Sequence, residues 1–346
     1  MQNIDITHQD NNAAQRPLRD LHALTKTYQR GSVGKSIGQL VSTFMPIFLL
    51  YPIGIHSMHT YPVLTILSAL LIAGLIIRAF MLQHDCSHGS FFRSMKVNEI
   101  LGFLIGILTL TPHACWRRFH LMHHSGNGNL EKRGYGDVKT LTVAEYAALP
   151  LLKKWYYRLY RHPLILFGFG AFLFFLVRQR LTCRVPKSWI KERWSIHGTS
   201  LGIFTVASVI AVVADDAWSI LFFHIGVMFI ATGVGVWLFY IQHQFPDAYW
   251  KDDSDWRFHE AALEGSSFYD LPRVLHWITA NIGYHHIHHL NVNVPNYHLP
   301  KCYRENDEFK RAKRFTLRES LKFSRLKLWD ERKQKMVSFH ALKKGS

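Results

Sequence analysis

Four apolar blocks limit what this chain can become. Residues 36–55, 62–82, 198–214 and 218–241 hold a single Lys or Arg between them, Arg78. A helix rises about 1.5 Å per residue and a bilayer's hydrocarbon core is about 30 Å thick, so each block is long enough to cross. They come in pairs, separated only by residues 56–61 and 215–217, so the chain crosses and returns twice. Two shorter apolar stretches, 100–112 and 164–177, would reach only about 20 Å as helices. They should lie in the interface or dip into it. The expected fold is therefore an all-α integral membrane protein: four transmembrane helices in two hairpins, short interfacial helices, and a cytosolic helical cap.

The charge is lopsided, with a formal net charge of +17. Its Lys and Arg residues cluster beside the apolar blocks and no nucleic-acid motif is present, which points to an anionic membrane surface and away from nucleic acid. Neither inter-helix turn carries a Lys or Arg. Under the positive-inside rule those turns face outward, and parity then puts both termini on the cytoplasmic side. Residues 1–35 read as a polar cytosolic segment without a secretory signal, 36–300 as the membrane-embedded domain and 301–346 as a basic cytosolic, lipid-facing tail. Four scattered cysteines show no CxxC spacing and fit reduced thiols.

Chemistry is concentrated in three histidine clusters at the ends of the spans. They are His84-Asp85-Cys86-Ser87-His88, His120-Leu121-Met122-His123-His124 and His285-His286-Ile287-His288-His289. Neutral imidazole is the commonest protein ligand for a transition metal. On a helix His285, His288 and His289 share one face and should aim at one place, with His286 turned away. Eight candidate ligands exceed what one ion can use, so two ions are expected. A metal transporter would set its ligands mid-span, whereas these lie at or beyond helix ends.

The clusters HDCSH, HLMHH and HHIHH, in this order at the ends of two hairpins, resemble the three histidine boxes of the integral-membrane fatty acid desaturases. The surrounding words Leu82-Gln83-His84-Asp85-Cys86-Ser87-His88-Gly89-Ser90-Phe91-Phe92 and Tyr240-Ile241-Gln242-His243-Gln244-Phe245 are similar to the acyl-lipid, omega-6 type branch. The resemblance implies two iron ions in a histidine-rich di-iron site, molecular oxygen as co-substrate, and a double bond introduced into a long, lipid-linked acyl chain. A di-iron hydroxylase or ketolase is the alternative within the same metal logic. With no nucleotide or haem signature in the chain, electrons should come from an external donor such as ferredoxin or a small haem cytochrome. A bacterial inner membrane is favoured over the endoplasmic reticulum.

Eight box histidines fall short of filling two iron sites. His243 is the expected ninth ligand, because it follows the last span directly and occupies the family's Gln-His position. Asn281, one turn before the third box, is a candidate water-mediated or outer ligand. Asp85 and Asp137 are expected to hold the far nitrogens of metal-bound imidazoles. His113, His259, His276 and His286 are expected in supporting or surface roles.

Overall fold

A computed structural model describes residues 18–344 except Tyr135 and Arg184; the first 17 residues of the polar N-terminal segment and the last two of the tail lie outside the described residues. In chain order the helices are α1 (Leu18–Thr25), α2 (Val33–His56), α3 (Pro62–His88), α4 (Met95–Leu108), α5 (His113–Gly126), α6 (Val143–Ala148), α7 (Leu151–Tyr160) and α8 (Gly170–Leu176). They continue with α9 (Ile190–Val213), α10 (Ala217–His243), α11 (Phe258–Glu264), α12 (Arg273–Ile278), α13 (His285–Leu290), α14 (Leu299–Glu305) and α15 (Leu317–Ser320).

α2, α3, α9 and α10, of 24 to 27 residues, are long and apolar enough to cross a membrane. Their outer faces suit lipid: Phe48, Leu67, Phe204 and Val212 are all exposed, a pattern that water would penalise but hydrocarbon accepts. Pro62 starts α3 at its first turn, where a missing N–H costs nothing, and Gly89 ends it with φ 72°, a left-handed cap that suits glycine. The short blocks do not span as straight helices: α4 and α5 meet at 103°, and α7 meets the helix of 165–180 at 62°.

α2 packs along α3, and α10 packs on the same helix. Gly54 of α2 lets α10 close against α2 as well, since a Cβ there would come within 2.2 Å of the Phe223 ring. The two arms of the second pair diverge, α9 leaning on α4 and α5 while α10 follows α3. Gly233 of α10 touches the chain at Phe167, where a Cβ would lie 2.3 Å from the carbonyl oxygen, so it serves close packing.

The polar ends form a folded cap. Leu21 of α1, Ile287 and Leu290 of α13, Leu299 and Cys302 of α14, and Phe309 make its core. The basic tail departs from the expectation of a solvated, lipid-facing segment. Strand β1 (Leu141–Thr142) pairs in parallel with β4 (Leu328–Asp330), with Leu141 opposite Leu328, and β4 pairs antiparallel with β5 (Lys335–Val337). Between them, β2 (Phe268–Asp270) pairs with β3 (Arg314–Thr316). Apolar residues dispersed among the lysines anchor the tail: Trp329 is 2% exposed and Met336 3%.

That docking buries two cations side by side. Arg161 spends its guanidinium on the carbonyl oxygens of Lys139 and Leu326 and on Gln244 Oε1, and Lys327 Nζ donates to Arg161 O at 2.5 Å. Burial, helped by Arg161, lowers the Lys327 pKa to about 8 from 10.5. Between those two values the unfolded chain binds a proton that the folded chain does not, so stability should rise as pH climbs from about 8 to 10.5. Thermal unfolding in detergent across that window should show the rise, and Lys327→Met should flatten it; an unchanged slope in the variant would assign the rise to other groups.

Candidate metal centre

All nine expected histidines converge, and they do so as two groups. His84, His88, His120, His124 and His288 form one; His123, His243, His285 and His289 form the other, and within each the candidate ligand atoms all lie within 4.8 Å of one another. None of the nine is more than 7% exposed. The groups adjoin, with the His124 and His289 rings 4.1 Å apart at their centroids.

Helix geometry dictates the division. At 3.6 residues per turn, positions four apart point within about 40° of each other, whereas adjacent positions diverge by about 100°. His120 and His124 therefore enter one group and His123 the other; His285 and His289 pair, and His288 turns to the first group. The expectation that His285, His288 and His289 aim at one place is corrected: they share a broad face but point into two groups. His243, the last residue of α10, completes the second group.

The nitrogens face one another. Nε2 of His243 lies 3.1 Å from that of His123 and 2.9 Å from that of His285, and His285 and His289 are 3.1 Å apart. In the other group Nε2 of His124 is 3.0 Å from His120 and 3.1 Å from His288. The far sides of the rings determine what those nitrogens carry. His243 Nδ1 lies 3.0 Å from Gly265 O, which can only accept, and His123 Nδ1 is bonded to the Asp137 carboxylate. A neutral imidazole in either place carries its hydrogen on Nδ1 and presents a lone pair at Nε2. Two such lone pairs 3.1 Å apart repel each other unless a cation sits between them, so neutral rings in this arrangement suit a metal ion. Burial, and next the neighbouring imidazoles, hold His285, His288 and His289 well below the usual histidine range, which keeps them neutral as ligation requires.

Asp85 contacts His84 Nδ1 at 3.4 Å, and its other oxygen accepts from Asn296 N and Nδ2, both at 2.8 Å. Asn281 sits in the turn before α13 with φ 59° and donates its side-chain amide away from the histidine rings, to the backbone carbonyl of Asn296 at 3.2 Å. His286 differs from the expectation of a supporting or surface residue: it is fully buried among the rings of Phe268, Tyr303 and Phe309, and burial lowers its pKa to about 4. His276 stacks on Tyr284, and His259 is half-buried beside Phe258.

Sequence reasoning missed the aromatic floor. Trp116 stacks on His120 with centroids 4.4 Å apart, and Phe239 lies 5.0 Å from His123 and 5.3 Å from His243. Each precedes a cluster histidine by four residues, a spacing that puts both on one helix face and was available in the sequence. Phe80, four before His84, packs on Trp116 at 5.1 Å. Phe80 and Phe239 stand one turn before their histidines near the ends of α3 and α10, and Trp116 one turn before His120 on α5.

The pattern of the family described as Fatty acid desaturase matches residues 61–320. The chain is 41% identical over 309 residues to a Fatty acid desaturase of Bacillus subtilis (strain 168), covering 89% of this chain and 87% of that protein. It is 26% identical to an sn-1 oleoyl-lipid 12-desaturase of Synechocystis sp. (64% of this chain, 62% of that one). With an sn-1 acyl-lipid omega-3 desaturase (ferredoxin) of Nostoc sp. (strain 36) it shares 25% identity, over 78% and 74% of the two chains. With three histidine boxes converging on two donor groups at the polar ends of four spans, and with matches of this extent, the chain belongs to the fatty acid desaturase family.

Proposed function

We propose that the two histidine groups hold a pair of iron ions, and that the protein uses molecular oxygen to remove two vicinal hydrogens from a long acyl chain carried by a membrane lipid. The observation that carries this reading is the convergence of nine buried imidazoles, their Nε2 atoms facing one another, in two adjoining groups. No side chain can oxidise an unactivated C–H bond, so the iron pair, when bound, would supply the oxidising chemistry. His84, His88, His120, His124 and His288 would hold one ion and His123, His243, His285 and His289 the other. Asp137 and Gly265 O fix the tautomer and tilt of two of these rings. Trp116, Phe80 and Phe239 offer an apolar wall on the membrane side, against which an alkyl chain can lie with water excluded.

Oxygen reduction to two waters takes four electrons, two from the substrate's C–H bonds and two from outside. One-electron carriers of the ferredoxin or small haem cytochrome class suit that role, and the name of the Nostoc relative includes ferredoxin. Purified protein should hold close to two irons per chain with the Mössbauer signature of a non-haem pair, and expression in cells lacking polyunsaturated lipids should yield new double bonds by mass spectrometry. Stoichiometric zinc with full activity would overturn the assignment.

The absence of Lys and Arg from the inter-helix turns supports placing the termini and metal centre on the cytoplasmic side of a bacterial inner membrane. Tags inserted at 58–60 or 215–216 should be labelled from outside intact spheroplasts and tags at either terminus should not. External labelling of a terminus would reverse the topology.

A further inference from the structure

We propose that a groove behind the first histidine cluster binds the phosphate of an anionic membrane glycerophospholipid. The groove, about 270 Å³, opens where α4, α5 and α9 meet and is lined by Glu99, Phe103, His113, Arg117, Lys191 and Trp194. Its surroundings are interfacial. Ile100 and Leu104 on α4 and Trp194 on α9 are exposed to the outside, while Lys191 stands in the first turn of α9, where the span gives way to polar sequence. A head group entering here would leave its acyl chains beside those apolar side chains.

The charge inside suits an anion. Arg117 donates its Nε to Ser87 O at 2.6 Å and lines the groove, and Lys191 pairs with Glu99 at 2.6 Å. Two cations against one carboxylate leave a net positive groove. A third group is unsatisfied: His113 is 3% exposed and its Nε2 has no hydrogen-bond partner among the described residues. The ring is clamped against Gly102, where a Cβ would come within 2.2 Å of it. Ser87 Oγ gives its only hydrogen to Gln83 O at 3.0 Å, so in its 3.5 Å contact with His113 Nδ1 it must accept. Nδ1 of the neutral ring therefore carries the hydrogen, and Nε2 is a buried acceptor packed against Gly102 beside the groove. Two cations against one carboxylate complement the net negative phosphate of a phosphatidylglycerol head group better than they do a zwitterionic phosphatidylcholine.

Ser87 lies between His84 and His88, and Arg117 precedes His120 by three residues. An occupied groove would thus brace both helices that carry the first donor group. The inference rests on no step of the reaction, and binding is measured separately from turnover.

The full-length chain, purified in detergent, would be titrated with phosphatidylglycerol, phosphatidylcholine, a neutral diglucosyl lipid and inorganic phosphate, with adducts counted by native mass spectrometry. One phosphatidylglycerol should be retained at the lowest lipid concentration, ahead of phosphatidylcholine, with the diglucosyl lipid showing only non-specific adducts. Lys191→Gln should weaken phosphatidylglycerol retention about fivefold, the size expected of one partly exposed charge, and Glu99→Gln should strengthen it by a similar factor. Both variants break the same ion pair, so a merely structural role would move them together. Equal retention in wild type and Lys191→Gln, a shift of both variants in one direction, or no preference over phosphatidylcholine would overturn the proposal. Saturation by millimolar inorganic phosphate without lipid retention would make the groove a free-phosphate site and overturn the lipid assignment.

Discussion

Replacing His243 by alanine should abolish turnover and strip iron from one of the two centres, as fully as replacing a histidine from any box. The reasoning is geometric. His243 Nε2 is the atom that meets both His123 and His285 in the four-histidine group, at 3.1 and 2.9 Å. Losing it leaves three donors and withdraws the one that joins α10 to α5 and α13. Outer partners of metal ligands commonly cost 10–100-fold in affinity or activity when removed, so a direct ligand should cost more than about a hundredfold. The spans should insert normally, because the change sits at the last residue of α10 and touches no lipid-facing side chain. Iron content by plasma emission, with membrane-fraction yield as the control, checks both parts. Full iron and activity in His243→Ala would move the missing ligand elsewhere, with Asn281 next in line through water.

How much of this could be read in advance depended on whether a signal was local. Apolar blocks and turn charges are properties of single segments, so α2 and α10 were legible to within three residues, whereas α9 begins eight residues earlier and α3 ends six later than their apolar blocks, because polar residues carry both helices on beyond the hydrocarbon. His243 was legible because it follows a span directly and the chain must bring it to the level of the boxes. The division of the boxes between two centres follows from helix periodicity and could have been derived from the same spacing that suggested a shared face. Other features join segments distant in the chain. Asp85 meets Asn296 across 211 residues, and β1 pairs with β4 across nearly as many; no periodicity announces either. The tail's burial was hidden by composition, since its lysines outnumber the few residues, Phe323, Trp329 and Met336, that dock it. Gly265 contributes only a backbone carbonyl to His243, which no side-chain pattern could reveal.

The neighbours His285 and His286 should separate function from folding. Both are buried, at 3% and 0% exposure, but they face different things. His285 points into the four-histidine group, whereas His286 packs against Phe268, Tyr303 and Phe309 in the cap. His285→Ala should insert and fold, lose iron and show no turnover. His286→Ala should keep its iron per folded chain and most of its specific activity, yet lose stability by about 2–4 kcal/mol, because deleting a buried ring leaves a cavity that rigid aromatic neighbours fill poorly. Its yield and melting temperature, not its metal, should therefore fall. Sequence reasoning alone would have made His286→Ala a silent control; burial makes it a folding variant. His286→Phe or His286→Leu, which refill the space, should recover much of the lost stability. Measuring iron per folded chain alongside thermal unfolding distinguishes the two losses, and equal iron loss in His285→Ala and His286→Ala at matched folding would show that the face of α13 does not decide which imidazole serves the metal.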